Sequence, residues 1–282
     1  MANIDFFTFI NINSNHFADF LRETGELTKS GKHNIHWKCV LSNGAEEIPK
    51  GFDCVSKQKR TSSNPSMRHA IAIHDAIQKA TSDYIIISDV DIALTYKNWD
   101  DEIVRILDEG YSCFGTPNST NENGEQDFPN VPFFTFKKEI LQKVNLDFSP
   151  ILDERNKITG VKAGKEKIMG RGIKNFVFLE TGCQISQQFE KAGLKSKCLC
   201  MEPVGPLSQK IQLPRFNFKL RIKLAKIINK VRRFHHNYLF EFHHNNNIFL
   251  SHIGNGSGKT SDSIDVQMWK KKAKEYLKKY YP

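Results

Sequence analysis

The chain has 282 residues, 39% of them hydrophobic, and a formal net charge of +10, which is length enough for one large domain with an appendage and a cation excess suited to an anionic partner or surface. No apolar run approaches the roughly 18 residues of a membrane span and no basic leader opens the chain, so the expectation is a cytoplasmic protein without signal peptide or spanning helix. The six cysteines, at positions 39, 54, 113, 183, 198 and 200, form no Cys-x-x-Cys pair, which excludes a zinc ribbon and fits reduced thiols.

Ile4–Ile10 reads as a first strand, residues 15–27 as a helix, and Ile35–Leu41 as a second strand ending in the turn Ser42-Asn43-Gly44. A second helix follows Pro65, with Ser66 as its expected cap and Ala70, Ile73, Ala76, Ile77 and Ala80 as its apolar stripe. After a tight turn at Ser82-Asp83, the run Tyr84–Ser88 reads as a buried strand that ends abruptly in Asp89-Val90-Asp91. The proline-containing stretch Phe128–Phe136 continues the sheet.

Further along, Gly164–Lys174 is glycine-rich and basic, and either closes over a substrate or merely connects. The apolar run Phe176–Leu179 leads into Glu180 and then a helix, Gln184–Ala192, stopped by Gly193. From Arg215 to Arg233 there is no acid: Leu220, Leu224, Ile227, Ile228 and Val231 form a helical stripe whose basic face either meets a membrane surface or stays in water. The pairs His235-His236 and His243-His244 match no familiar metal spacing and read as polar positions in a connector. A strand, Ile248–Leu250, leads to His252 and a glycine-rich stretch, and residues 263–281 form a terminal helix with Ile264, Met268, Ala273, Tyr276, Leu277 and Tyr280 on its apolar side.

The chemistry concentrates at Asp89 and Asp91. Residues i and i+2 on extended backbone point the same way, so the two carboxylates serve one site. Unneutralised, they repel, and a hard divalent cation is the usual remedy. Mg²⁺ or Mn²⁺ held there can in turn bind a diphosphate. By contrast, Gly258-Lys259-Thr260 is not the tail of a P-loop, because the first glycine of that motif falls on Ile253 and no further sheet follows.

The stretch from Asn64 to Asp91, an Ala-rich helix, a polar turn, an apolar strand and Asp-x-Asp, resembles the GT-A class of glycosyltransferases, and most loosely its family 2 group. The resemblance extends over roughly residues 4–204. It implies an α/β GT-A fold, a Rossmann-like mixed sheet flanked by helices, here with a C-terminal basic helical appendage. It also implies a metal-dependent transfer of a sugar from a nucleotide-diphosphate donor to a hydroxyl of a glycan or lipid-linked acceptor. Family 2 members often carry acids after the second strand to read the base, where this chain has Ser42-Asn43-Gly44.

By the same resemblance Glu180 sits where inverting enzymes carry the general base, although an N-terminal capping acid, a role open to Thr181 as well, is the alternative. Such enzymes often take a third metal ligand from a late histidine, which falls on His252, with Lys259 neutralising the leaving diphosphate; the family 8 pattern that ends in Pro-Trp is not met. Arg68, with His69 at the head of the second helix, falls near the nucleotide, and the stretch Phe128–Phe136 is expected to border the donor sugar. The expected organisation is a catalytic domain over residues 1–205, a basic insertion over 206–247 in which 215–233 either meets a membrane surface or packs its stripe on the catalytic domain, and residues 248–282 completing the site. A nucleotidyltransferase lacks its N-terminal glycine loop in this sequence, and a nucleic-acid binder leaves the buried strand ending in Asp-Val-Asp unexplained, so nucleic acid is not the expected partner.

Overall fold

Strand β1 (Asn3–Ile10) is buried on both faces from Ile4 onward, with the polar Asp5 and Thr8 enclosed among its apolar residues. The structure, a computed structural model, describes residues 1–42, 44–58, 62, 64–117, 128–150, 181–204, 239–253 and 259–279. Around β1, strands β2 (Asn34–Leu41), β3 (Asp53–Lys57), β4 (Tyr84–Ser88), β6 (Cys113–Pro117), β7 (Pro129–Lys137) and β8 (Ser196–Cys198) form a seven-stranded sheet in the order β3-β2-β1-β4-β7-β6-β8. The β1–β2, β1–β4, β2–β3 and β6–β8 pairs are parallel, whereas β7 runs antiparallel to both β4 and β6. The sheet is therefore mixed, as the resemblance implied.

Alternation along the central strands feeds two cores. Phe6 and Ile86 face one side with Phe17, Trp37 and Trp99; Phe7, Ile85 and Ile87 face the other with Ile73, Phe134 and Phe189. The first core is covered by α1 (Asn15–Thr28) and α3 (Trp99–Asp108), the second by α2 (Pro65–Gln78) and α4 (Ile185–Lys191). Asp5, fully buried in β1, accepts bonds from the Thr81 and Ser82 backbone N–H groups at 2.6 and 3.0 Å and pairs with Lys38 at 2.8 Å, which fixes the turn between α2 and β4.

A second, four-stranded antiparallel sheet runs β5-β11-β10-β9, made from β5 (Ile92–Leu94), β11 (Asn247–Ile253), β10 (Leu239–His244) and β9 (Cys200–Val204). Phe242, Phe249 and Leu250 drive it into the first core, where α5 (Ile264–Lys278) closes it with Trp269, whose indole N–H donates to Ser251.

Several local expectations are corrected. The cap of α2 is Asn64, whose side chain accepts from the Ser66 and Met67 N–H groups, and Pro65 occupies the first turn, so Ser66 lies inside the helix. His243 and His244 belong to β10 rather than to a connector, and His244 is buried against Glu102 at 2.5 Å. Residues 239–244, within the stretch read as a basic insertion, are thus an inner strand of the second sheet. On α5 the buried positions are Val266, Trp269, Ala273 and Leu277, while Ile264 and Met268 are exposed. All six cysteines are free thiols, with Cys39 and Cys113 buried. Among the described residues no helix is long and apolar enough to cross a membrane. The stretches 164–174 and 215–233 lie outside the described residues.

Candidate active site

Three side chains from distant parts of the sequence converge where β4 ends. Asp89, Asp91 and His252 each bring a ligand atom, and these atoms lie within 4.8 Å of one another. Backbone bonding explains the placement. The Asp89 N–H donates to the Pro132 carbonyl at 2.8 Å, holding the strand end against β7; the Ile253 N–H donates to the Asp91 carbonyl at 3.1 Å, holding it against β11. His252 pairs with Ile92 across β5–β11 and with Phe240 across β10–β11, and the Phe240 ring stacks on its imidazole. The chain passes from one sheet to the other at Val90, so the two carboxylates stand at the seam.

Each carboxylate has an imidazole beside it. His252 Nε2 lies 3.3 Å from Asp91 Oδ1, and His69 Nε2, on α2, lies 3.4 Å from Asp89 Oδ1. Asp91 is nearly enclosed, whereas the Asp89 side chain keeps 29% of its surface open to the cleft. Burial, reinforced by the charge of Asp91, still pushes the Asp89 carboxyl above the usual carboxylate range, with His69 and His252 opposing the shift. Burial disfavours the His252 imidazolium, but the Asp91 carboxylate and then Asp89 outweigh it and raise His252 above the ordinary imidazole value. Such a cluster of perturbed groups in a cleft is a mark of a functional site.

The cleft encloses about 300 Å³ and has an uneven lining. Ser66, Asn130 and Thr181 give it polar lining, and Met201, Phe240 and Phe242 apolar lining. Thr181 donates its hydroxyl to the Ser66 carbonyl at 3.0 Å, and the Asn130 side chain donates to the Thr181 carbonyl at 3.4 Å. Gly182 follows with φ +75°, and a Cβ there would lie 2.2 Å from Asn130 Oδ1, so this turn requires glycine.

No protein-family model matches the chain, and no curated protein matches it by sequence. Solved structures do resemble it. The mannosyltransferase PcManGT from Pyrobaculum calidifontis, in complex with GDP-Man and Mn²⁺, is similar with a TM-score of 0.39 and 14% identity over 59% of this chain and 52% of that one. A Drosophila β-1,4-galactosyltransferase 7 mutant in complex with manganese, UDP-Gal and xylobiose gives 0.42 and 12% over 70% and 65%. TarS from S. aureus, as its 1–349 fragment, gives 0.36 and 12% over 52% and 50%. The chain spans between half and two thirds of the length of these structures.

Of the residues singled out in the sequence, the structure brings Asp89, Asp91 and His252 together. Arg68 turns away, its guanidinium donating to the Ser62 carbonyl at 2.6 Å. Lys259 pairs with Asp265 at 3.3 Å. Glu180 lies outside the described residues, although the next residue, Thr181, lines the cleft. Helix α4 begins after Gln184, which makes no side-chain cap bond, so Thr181 is not its cap. His69 and Asn130 line the cleft within stretches expected near the donor, whereas Phe240 and Phe242 are cleft residues to which the sequence assigned no role. For Phe240 and Phe242 the signal was present as strict alternation with Glu241 and His243, the period of a half-buried strand.

Proposed function

We propose that the chain is a metal-dependent GT-A glycosyltransferase that moves a sugar from a nucleotide-diphosphate donor to a hydroxyl of a glycan or lipid-linked acceptor, with inversion favoured. The observation that carries this reading is the convergence of Asp89, Asp91 and His252 at the end of a central sheet strand, with Asp89 and His252 lining a cleft and Asp91 enclosed behind it. Two carboxylates and one imidazole suit Mn²⁺ or Mg²⁺, and no thiolate is among them to favour a softer ion. A cation held by Asp89, Asp91 and His252 would supply Lewis-acid chemistry toward the leaving diphosphate.

The protein's own groups fill the remaining roles. Glu180 takes the proton of the acceptor hydroxyl as that oxygen attacks the anomeric carbon. Lys259 supplies a positive charge to the diphosphate; its bond to Asp265 is a partly exposed ion pair of about 1 kcal/mol or less, so redirecting it costs little. Arg68 contacts the nucleotide once released from the Ser62 carbonyl. Asn130, Val131 and Pro132 of β7 border the donor sugar, and the apolar lining of Met201, Phe240 and Phe242 receives the acceptor. The protein works in the cytoplasm, with residues 215–233 at the membrane surface.

Calorimetric titration with a panel of nucleotide sugars, with and without Mn²⁺, tests the reading on the native chain and on the Asp89→Ala/Asp91→Ala variant. Metal-dependent binding of one donor, lost in the variant, supports it. A folded native protein that binds none of the panel refutes it.

A further inference from the structure

His69 has no role in the mechanism above, yet it is placed as a working part of the site. Its Nε2 is buried and makes no hydrogen bond within the protein, although the side chain lines the cleft and keeps 24% of its surface exposed. A buried nitrogen left unbonded costs about 1–3 kcal/mol, so native structures keep few without a reason. The nearest acceptor is Asp89 Oδ1 at 3.4 Å, just beyond good hydrogen-bond length. Other contacts hold the ring where it is. Phe9 of β1 meets it edge-on at 4.9 Å, and α2 is rooted by the Asn64 cap. The turn after α2 is pinned to Asp5, so His69 and Asp89 belong to one frame of α2, β1 and β4.

Its distance from the other ligands defines the role. The set of mutually close ligand atoms comprises Asp89, Asp91 and His252 and does not include His69. His69 therefore stands one shell out, behind Asp89, much as metal-binding side chains are commonly oriented by a hydrogen-bond partner. We propose that His69 is a positioning residue: its Nε2–H donates to Asp89 Oδ1 when a divalent cation binds, fixing the carboxylate so that its other oxygen is offered to the ion. His69 thus serves Asp89 from α2 and from outside the ligand set, whereas His252, 3.3 Å from Asp91 on the second sheet, belongs to the set itself. This rests on the metal reading above.

The test measures Mn²⁺ affinity directly, by electron paramagnetic resonance of free Mn²⁺ in the absence of any nucleotide sugar. His69→Leu removes the donor and keeps the bulk; His69→Gln returns an N–H close to the position of Nε2. The expectation is a 10- to 100-fold loss of affinity in His69→Leu with most of it recovered in His69→Gln, each variant checked for a native melting transition. Native affinity in His69→Leu overturns the proposal, as does equal loss in both variants, which would mean that the ring's shape and not its N–H matters. A native protein that does not bind Mn²⁺ sinks the metal reading and this proposal together, whereas the preceding two outcomes leave the metal reading standing. The unaltered protein provides a measurement that needs no variant: in a ¹⁵N histidine spectrum with Mg²⁺ added, His69 should carry its proton on Nε2, and an unprotonated Nε2 overturns the proposal.

Discussion

Replacing Asp89 by asparagine should stabilise the metal-free protein at neutral pH and abolish its stabilisation by Mn²⁺, so that the ranking of the two proteins inverts with metal. The ligand atoms of Asp89 and Asp91 lie within 4.8 Å. At that separation two full charges repel by about 3.5 kcal/mol at an effective dielectric of 20 and about 1 kcal/mol in water. His69 and His252 offset part of this, which leaves a net penalty of about 1–2 kcal/mol, or a few degrees in melting temperature for a domain of this size. Cation binding reverses the sign: at a Mn²⁺ concentration 100-fold above its dissociation constant the native protein gains about 2.7 kcal/mol, roughly 5–10 °C, and the variant almost nothing. Acid also separates the two. The folded Asp89 carboxyl lies above its ordinary value of 3.8, so between those values the native state holds the extra proton and stability falls as pH rises. The advantage of Asp89→Asn in chelator should accordingly shrink as pH drops toward 4. Thermal melts in chelator and in Mn²⁺ read the whole pattern. A variant that is less stable than the native protein in chelator, or that gains as much from Mn²⁺, would show that Asp89 serves the fold and not a cation.

Glu180→Gln should lower kcat by about 10²- to 10⁴-fold and leave donor affinity within a few-fold of native, measured by steady-state assay and calorimetry; unchanged turnover removes Glu180 as the base. Asp5→Ala should cost about 3–5 kcal/mol in urea unfolding, because it strands Lys38 and the N–H groups of Thr81 and Ser82 in the interior. Burial opposes the Asp5 charge, but Lys38 and those N–H groups outweigh it and hold the folded carboxyl below 3.8; its contribution is therefore present above that pH and lost as pH falls through the folded value, a loss the variant should not show. Gly115→Ala should cost about 3 kcal/mol or more, since its Cβ would lie 2.0 Å from the Phe133 carbonyl oxygen, a backbone atom in the paired strand that cannot turn aside. A native midpoint in urea would refute that geometry.

The parts of the fold that were legible in the sequence are those whose burial imposes a period. Strands β1 and β4 are runs buried on both faces and β2 becomes so from Cys39, α1 and α2 show helical stripes, and the two carboxylates were visible because they end an apolar run. Strand β5 has three residues and β3 five, too few for a period to register. Helix α3 does carry a signal, with acids at positions 100, 101 and 102 in its first turn. The strand β10 was hidden by its histidines, whose polarity suggests solvent although His244 is buried against Glu102 and two rings. On α5 the apolar residues outnumber the buried positions, and only the packing of Trp269 beneath β11 decides that Ile264 faces outward. The nearness of His69 to Asp89 depends on how α2 is rotated over β1, which no local pattern encodes.

Strand β5 has consequences for the order of assembly. Among the described residues it is an edge strand paired with β11 alone, and it begins directly after Asp91. Until β11 has been synthesised and docked, Ile92–Leu94 lack their strand partner, although the Leu94 N–H still reaches Thr24 Oγ1 at 3.1 Å, and the Asp91 carbonyl lacks the Ile253 N–H. A nascent chain can fold β1, β2 and β4 and still present its two acids in no fixed relation, because the contact that aligns them spans more than half the sequence. On the proposed metal reading the ligand set is thus completed late, in the step that also brings in His252, and a chain broken between β8 and β11 would keep the strands of its first sheet while lacking that histidine.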